Sequence, residues 1–332
     1  MLTRNSGKIK LVLSFISIFV ISMLLTFAYL DRQYIFDKIT VYQFKPSSDV
    51  TKLIERTGVN DYGKFLYLAS QPVIESTQNF NLACANNENI SSILGCYNNG
   101  RIYIYDVTDT QLDGVREVTA VHEVMHAAYN RLNIIEKSKI DSLLEDEYRK
   151  LEGNKELVDR MSFYEKIEPG QRHNELHSVI GTEVADISPE LERYYDKYFS
   201  NRQDTVTLNQ NYISVFKKLD DRRIELEGVL SILGPEINSK KVQYETDVRS
   251  INEAVLGFNT RANNGDFLSV GQFNDERDTL SNQITSLQSI RDAISQDIAN
   301  YNELYKEYDS SIYQLKKLYD SIDSTLAPSP SI

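Results

Sequence analysis

Two histidines and a glutamate in the middle of the chain have the types and spacing of a metal site. They lie in the run His122-Glu123-Val124-Met125-His126, in which three residues separate the histidines. On a helix this spacing places both imidazoles on one face, one turn apart, where they can bind a single zinc ion. Glu123 then lies beside the ion and can act as a base. The run therefore predicts a zinc-binding helix in which Glu123 is the catalytic residue.

The remaining histidines also fall in this part of the chain. The sequence has four histidines, and the other two are His173 and His177. Clustered histidine and carboxylate residues are typical of a site, whereas scattered ones are typical of packing or surface. A catalytic zinc usually takes three protein ligands, and the downstream candidates for the third are Glu175, His177, His173 and Glu183. Because Glu175 and Glu183 are eight residues apart, about 12 Å along a helix, both cannot bind one ion directly.

Composition limits the possible classes of protein. The chain has 332 residues, of which 25% are charged and 41% hydrophobic, so it has room for one globular domain plus an extended part, or for two domains. The net charge is −12 and no run is rich in Lys and Arg. Binding to phosphates requires clustered cations, so nucleic acid is excluded as a partner.

A long apolar segment lies near the N-terminus. The run from Leu11 to Leu30 contains 20 uncharged residues, about 30 Å as a helix, which matches the hydrocarbon core of a membrane. Basic residues precede it, so residues 1–10 are expected in the cytoplasm and the bulk of the chain outside, at the cell surface or in the periplasm. A cleaved signal peptide is the alternative, but a small-x-small cleavage site is hard to find before Asp31. The segment predicts a single-pass membrane protein with an uncleaved signal anchor and the membrane as a partner.

The segment 31–200 predicts both strands and helices. Strands are expected at Phe65–Ala69 and at Arg101–Asp106, the second after the turn signal Asn98-Asn99-Gly100. Cys84 and Cys96 are the only cysteines. Outside the membrane they are expected to form a disulfide, and the alternative is two unpaired thiols in the core.

Helical periodicity surrounds the histidine motif. Apolar residues at helical spacing predict a helix from about Gly114 to Leu132, with both histidines at the margin of its buried face. A charged amphipathic helix is expected over 135–151, and another helix from near Gln171 would carry Glu175 and His177. Pro189 is expected to open a further short helix.

The region 201–326 has a seven-residue repeat. Two long helices with a turn near 262–270 predict an antiparallel coiled-coil hairpin, each arm about 80 Å long. The alternative is pairing between the helices of different chains. Gly234-Pro235 is expected to kink the first arm, and the tail 327–332 to be disordered.

Two sets of residues form the expected seam of this hairpin. The set on the first helix, in which Lys241 is the polar exception, is Leu226, Leu230, Leu233, Ile237, Tyr244, Val248, Ile251, Val255 and Phe258. The set on the second helix, interrupted by Arg291, is Leu280, Ile284, Leu287, Ile294, Ile298, Tyr301, Tyr305, Tyr308, Ile312, Leu315, Tyr319, Ile322 and Leu326.

The motif resembles that of the zincin metallopeptidases, over roughly residues 60–200. The metzincin branch of that family has a third histidine downstream, but Tyr129 and Asn130 follow here, so that branch is excluded. The gluzincin branch takes its third ligand from a glutamate within N-E-x-x-S, and Asn174-Glu175-Leu176-His177-Ser178 has this form. The resemblance implies Glu175 as the third ligand, although Val179 stands where an aspartate often follows.

The resemblance also implies a fold class. The expected fold is an α+β zincin-like catalytic domain, with a small mixed sheet and active-site helices, between an N-terminal transmembrane helix and an all-α antiparallel hairpin. The strand Arg101–Asp106 would be the edge strand along which an extended substrate lies.

The expected function is zinc-dependent hydrolysis of peptide bonds by a metalloendopeptidase that binds one zinc ion per chain. Zinc would lower the pKa of a bound water, and Glu123 would take its proton and pass it to the leaving amine. A donor to the oxyanion is expected among His173, His177, Tyr164, Tyr194 and Tyr195. The expected partners are a protein or peptide substrate and a protein that binds the hairpin, which includes a second copy of the chain. The alternative is a cell-envelope coiled-coil scaffold whose zincin-like domain is not catalytic.

Overall fold

The computed structural model describes residues 13–23, 26, 31–84, 93–167 and 169–325. The chain divides into two compact units, one comprising Met1–Val215 with Leu318–Ile332 and the other Phe216–Lys317. The predicted cytoplasmic segment 1–10 and the predicted disordered tail 327–332 lie outside the described residues.

The first unit consists mainly of helices. In chain order they are α1 (Arg32–Gln43), α2 (Ser48–Lys52), α3 (Asp61–Ala69), α4 (Thr77–Cys84), α5 (Val115–Asn130), α6 (Ile134–Lys150), α7 (Lys155–Ile167), α8 (Arg172–Glu183), α9 (Pro189–Tyr195) and the start of α10 (Gln203–Asn264). Side-chain caps fix several of their starts. Asn60 accepts hydrogen bonds from the backbone N–H groups of Tyr62 and Gly63, and Asn133 forms a reciprocal capping box with Glu136.

A small mixed sheet lies beside the central helices. Its strands are β1 (Val73–Glu75), β2 (Gly95–Asn98) and β3 (Arg101–Tyr105), in the order β1-β3-β2. β3 pairs in parallel with β1 and antiparallel with β2. Asn99 and Gly100 connect β2 to β3 with φ of 51° and 81°, the positive values that a tight two-residue hairpin turn requires.

The histidine motif lies on α5, which packs against α8. One face of α5 is fully buried and includes Val121, Val124 and Met125, and it forms one core with Leu176 and Ile180 of α8. The apolar spacing predicted that one face of α5 is buried, but the consecutive residues from Glu123 to Tyr129 are all buried, so the middle of the helix is enclosed on every side.

A glycine allows a close contact beside this helix pair. A Cβ atom on Gly181 of α8 would come within 2.8 Å of the Tyr195 ring and 3.5 Å of the Met125 Cγ. The absence of a side chain at this position therefore lets α8 lie against both Tyr195 and α5.

An ion pair fixes the far end of α5. Arg131, the residue after the helix, forms two hydrogen bonds of 2.8 Å with the Asp37 carboxylate of α1, and both side chains are largely buried. Arg131 also donates to the Tyr97 hydroxyl of β2 and to the Ala127 carbonyl. Three elements are thereby joined at the C-terminal end of the motif helix.

The second unit is an antiparallel helical hairpin. Its helices are the remainder of α10 and most of α11 (Val270–Ile322). The ion pairs Arg222–Glu307, Lys240–Asp297 and Arg261–Glu276 connect them in antiparallel order. The two arms of one chain therefore pair with each other, and α10 continues through Pro235 without a break.

The seam of the hairpin differs from the predicted one. On α11 the buried or half-buried residues include Leu280, Leu287, Ile294, Tyr301, Tyr308 and Leu315, together with Leu304 and Ser311. The predicted seam residues Ile284, Ile298, Tyr305, Ile312 and Tyr319 are instead exposed, and Leu326 lies outside the described residues. On a helix, the positions three and four residues after a core residue lie on opposite sides of it. In α11 the position three residues after, as at Leu304 and Ser311, is used for pairing with α10, whereas the position four residues after is exposed.

The predicted α+β zincin-like fold class is wrong. Among the described residues the sheet is limited to strands of three, four and five residues, and the other regular elements are helical. Phe65–Ala69, predicted as a strand, belongs to α3 because Asn60 caps a helix there. The predicted substrate-binding edge strand, Arg101–Asp106, corresponds to β3, which is the central strand of the sheet.

The predicted membrane anchor at 11–30 is contradicted as well. Within the described part of the chain, no helix has the length and apolar character needed to cross a membrane. Residues 11, 12, 24, 25 and 27–30 lie outside the described residues. The predicted single-pass membrane localisation, with the bulk of the chain outside, is therefore not supported.

Candidate metal centre

Helix α5 brings its two histidines together. The Nε2 atoms of His122 and His126 lie 3.1 Å apart, and both side chains are largely buried. Three residues separate them in sequence, so the helix places both rings on the same face. Their metal-binding atoms therefore face one point beside α5.

Helix α8 brings Glu175 to the same point. Its Oε1 atom lies 3.5 Å from the His126 Nε2, and its Oε2 atom lies 3.9 Å from the His122 Nε2. Glu175 is in the first turn of α8, and only 4% of it is exposed. The packing of α8 on α5 thus adds a buried carboxylate to the two imidazoles.

These distances can be compared with those between the ligands of a metal ion. Nitrogen and oxygen ligands about 2.0–2.1 Å from zinc lie roughly 3.3 Å apart at tetrahedral angles. The two Nε2 atoms, 3.1 Å apart, are close to this value, and Glu175 presents one carboxylate oxygen to each histidine, at 3.5 and 3.9 Å. Ligand atoms of His122, Glu123 and His126 also lie within 4.8 Å of one another, so this group is able to hold a metal ion.

The electrostatic environment keeps His122 in the form that binds metals. Burial, followed by the neighbouring His126 and the charge of Arg160, lowers the pKa of His122 well below its ordinary value. A neutral imidazole has a free lone pair for a metal, whereas an imidazolium does not. His122 is therefore neutral and able to bind a metal at neutral pH.

The side chain of Glu123 lies between its own helix, α5, and the sheet. Only 4% of it is exposed. A Cβ atom on Gly95 of β2 would lie 2.6 Å from the Glu123 Oε1 and 2.9 Å from its Cγ. The missing side chain at Gly95 thus provides the space that Glu123 occupies.

A disulfide holds the strand that carries Gly95. Cys84 at the end of α4 is bonded to Cys96 of β2, with 6.0 Å between their Cα atoms. Cys96 directly follows Gly95, so the covalent link lies next to the contact with Glu123.

His177 and His173 make their closest polar side-chain contacts with residues other than the paired imidazoles. His177 is fully buried, its Nε2 lies 2.9 Å from the Tyr194 hydroxyl, and its carbonyl accepts a hydrogen bond from the Tyr195 hydroxyl. Burial lowers the pKa of His177 to about 3, so it is a neutral residue of an aromatic cluster. His173 instead contacts Asp141 and Glu145 of α6 at 3.4 and 3.1 Å.

Glu183 forms an ion pair with Arg160, a residue that no sequence motif indicates. Its Oε2 accepts a hydrogen bond of 2.5 Å from the Arg160 Nη1 of α7. Arg160 lies within electrostatic range of His122, and its neighbours also include Tyr164 and Tyr212. Burial and then Glu175 raise the pKa of Tyr164, with a smaller effect of Glu123, so Tyr164 is a protonated neighbour of both glutamates.

Sequence reasoning missed Arg160 and Gly95. Arg160 is one of 36 Lys and Arg residues, and no motif distinguishes it. Gly95 precedes a cysteine in a segment without a turn signal, and only its contact with Glu123 reveals its role.

Comparison of the chain with protein-family models, with characterised proteins and with solved structures finds no match.

Proposed function

We propose that this chain is a zinc-dependent peptidase whose metal ligands are His122, His126 and Glu175 and whose general base is Glu123. The observation that carries the proposal is the convergence of two imidazole nitrogens and one buried carboxylate from two helices at 3.1–3.9 Å. Two imidazoles and a carboxylate leave one coordination position for water, as in catalytic zinc sites. A structural zinc site usually fills that position with protein and has no need of a base.

Glu123 supplies the proton transfers of the proposed reaction. Zinc held by His122, His126 and Glu175 would polarise a carbonyl and lower the pKa of a water toward 7. Glu123 would accept a proton from the attacking water and deliver it to the leaving amine. The contact with Gly95 limits the positions that its carboxylate can take.

Arg160 and Tyr164 are the proposed donors to the substrate's carbonyl oxygen. Arg160 carries a positive charge near His122, and Tyr164 is protonated near Glu175 and Glu123. Both can donate a hydrogen bond to an oxygen that becomes negative during the reaction. His173 and His177 are less suitable, because the first contacts α6 and the second is enclosed by tyrosines.

The experiment combines metal content with peptide hydrolysis. We expect the purified chain to hold one zinc ion and to cleave a mixture of quenched fluorescent peptides. His126→Ala and Glu175→Ala should lose the metal, whereas Glu123→Gln should keep it and lose hydrolysis. His173→Ala is the matched control, since its ring contacts α6, and it should keep both.

Two outcomes would contradict the proposal. Hydrolysis retained by Glu123→Gln would exclude Glu123 as the base. A wild-type chain that holds zinc but cleaves no peptide would favour a non-catalytic metal site.

A further inference from the structure

Helix α11 carries an exposed column of residues that recur every seven positions. The column consists of Ile284, Arg291, Ile298, Tyr305 and Ile312. The exposed fractions of its apolar members are 40%, 37%, 51% and 38%. Residues seven apart on a helix share one face, so these side chains form a continuous stripe about 42 Å long.

The hairpin seam is covered without this stripe, of which only Tyr305 stacks on a seam residue, Tyr301, with ring centroids 6.3 Å apart. Every apolar seam residue of α10, from Leu226 to Phe258, is buried or half-buried. The arm α11 covers that seam with the set that includes Leu287, Ile294, Tyr301 and Leu304. Helices with an a/d seam alone suit two-stranded pairing, whereas a third apolar position per heptad suits a bundle of more helices. The exposed column is that third position.

We propose that the exposed column binds the same column of a second copy of this chain, in antiparallel orientation about a two-fold axis at Ile298. In this register Ile284 faces Ile312 of the other copy, and Arg291 faces Tyr305. A guanidinium over a tyrosine ring is a favourable cation–π pair. The column is therefore complementary to an identical column that runs in the opposite direction.

The charges of the column disfavour a parallel arrangement. In parallel register Arg291 of each copy would face Arg291 of the other, and like charges directly opposite repel. Arg291 is 61% exposed and its partner in the structure is the adjacent Asp292, so it remains accessible to a ring of the second copy. Four heptads of each α11 would come together, which turns two hairpins into a four-helix arrangement.

The first test is the oligomeric state of the full chain by sedimentation equilibrium. We expect a reversible dimer, and Ile298→Glu should raise its dissociation constant about 100-fold or more, because the axis places two carboxylates face to face. Tyr313→Glu is the control, since Tyr313 is 69% exposed on the same helix but lies outside the column. The two variants should have the same far-UV circular dichroism as the wild type. A monomer at every concentration, or a dimer that Ile298→Glu does not weaken, would overturn the proposal.

The second test addresses the register. Tyr305→Arg should dissociate the dimer, because it places two arginines opposite each other, and combining it with Arg291→Tyr should restore association. Under oxidation, Ile284→Cys should cross-link only when mixed with Ile312→Cys. Efficient cross-linking of Ile284→Cys with itself would show a parallel pair and exclude the proposed orientation.

Discussion

Gly95→Ala should displace the base without removing the metal. The new Cβ would lie 2.6 Å from the Glu123 Oε1, 2.9 Å from its Cγ and 2.6 Å from the Thr119 Cγ2. Ordinary nonbonded contacts begin at about 3.4 Å, so the Glu123 side chain must move by about 0.8 Å. A displacement of about 1 Å in a catalytic site can lower kcat about 100-fold. We therefore expect kcat to fall about 10- to 100-fold, with zinc still bound through His122, His126 and Glu175.

The assay compares kcat, zinc content and thermal unfolding of Gly95→Ala with those of Gly153→Ala. A Cβ on Gly153 would have no atom within 4 Å, so this control should leave all three quantities unchanged. Overpacking at Gly95 should also lower the free energy of unfolding by about 1–3 kcal/mol. Wild-type kcat in Gly95→Ala, alongside an inactive Glu123→Gln, would refute the argument that Gly95 makes room for the base.

Three further predictions concern ion pairs of the first unit. Asp37→Asn should lower the free energy of unfolding by about 3 kcal/mol in urea titrations, because it leaves the buried Arg131 without its anion; a loss no larger than that of the exposed control Asp49→Asn would contradict this. Arg160→Met should lower kcat about 100-fold while zinc stays bound, whereas the exposed control Arg149→Met should not, and an unchanged kcat would exclude Arg160 as a donor. Hydrogen bonds from Arg172 lower the pKa of Glu145. The stability that this carboxylate contributes is therefore complete above the ordinary glutamate pKa and is lost as the pH falls through the lowered value. Glu145→Gln should cost up to about 1 kcal/mol at pH 7 and less as the pH falls below the ordinary glutamate pKa, and a cost that does not change with pH would contradict the assignment.

The sequence predicts local helices better than the fold around them. Helix α5 was expected over 114–132 and is observed at Val115–Asn130, because its apolar residues recur at helical spacing. Phe65–Ala69 has strand-like residues, but the cap at Asn60 lies outside that run and decides the outcome. The histidine motif specifies one helix and carries no information about the sheet beside it, so the inferred fold class was wrong.

The sequence also leaves the helix partners undetermined. The heptad repeat predicted two long helices, but an apolar residue four positions after a core residue can belong either to the hairpin seam or to another surface. Ile298 and Tyr305 are of the second kind, and only the observed pairing of α10 with α11 shows this. In the same way, Arg160 reaches the site through the packing of α7, which no local pattern encodes.

Anomalous diffraction at the zinc absorption edge, from crystals of the wild-type chain, tests the proposed metal centre most directly. We expect one strong peak per chain, about 2 Å from the Nε2 atoms of His122 and His126 and from a Glu175 carboxylate oxygen. No peak at this position in the presence of added zinc, or a peak bound by His173 or His177 instead, would contradict it.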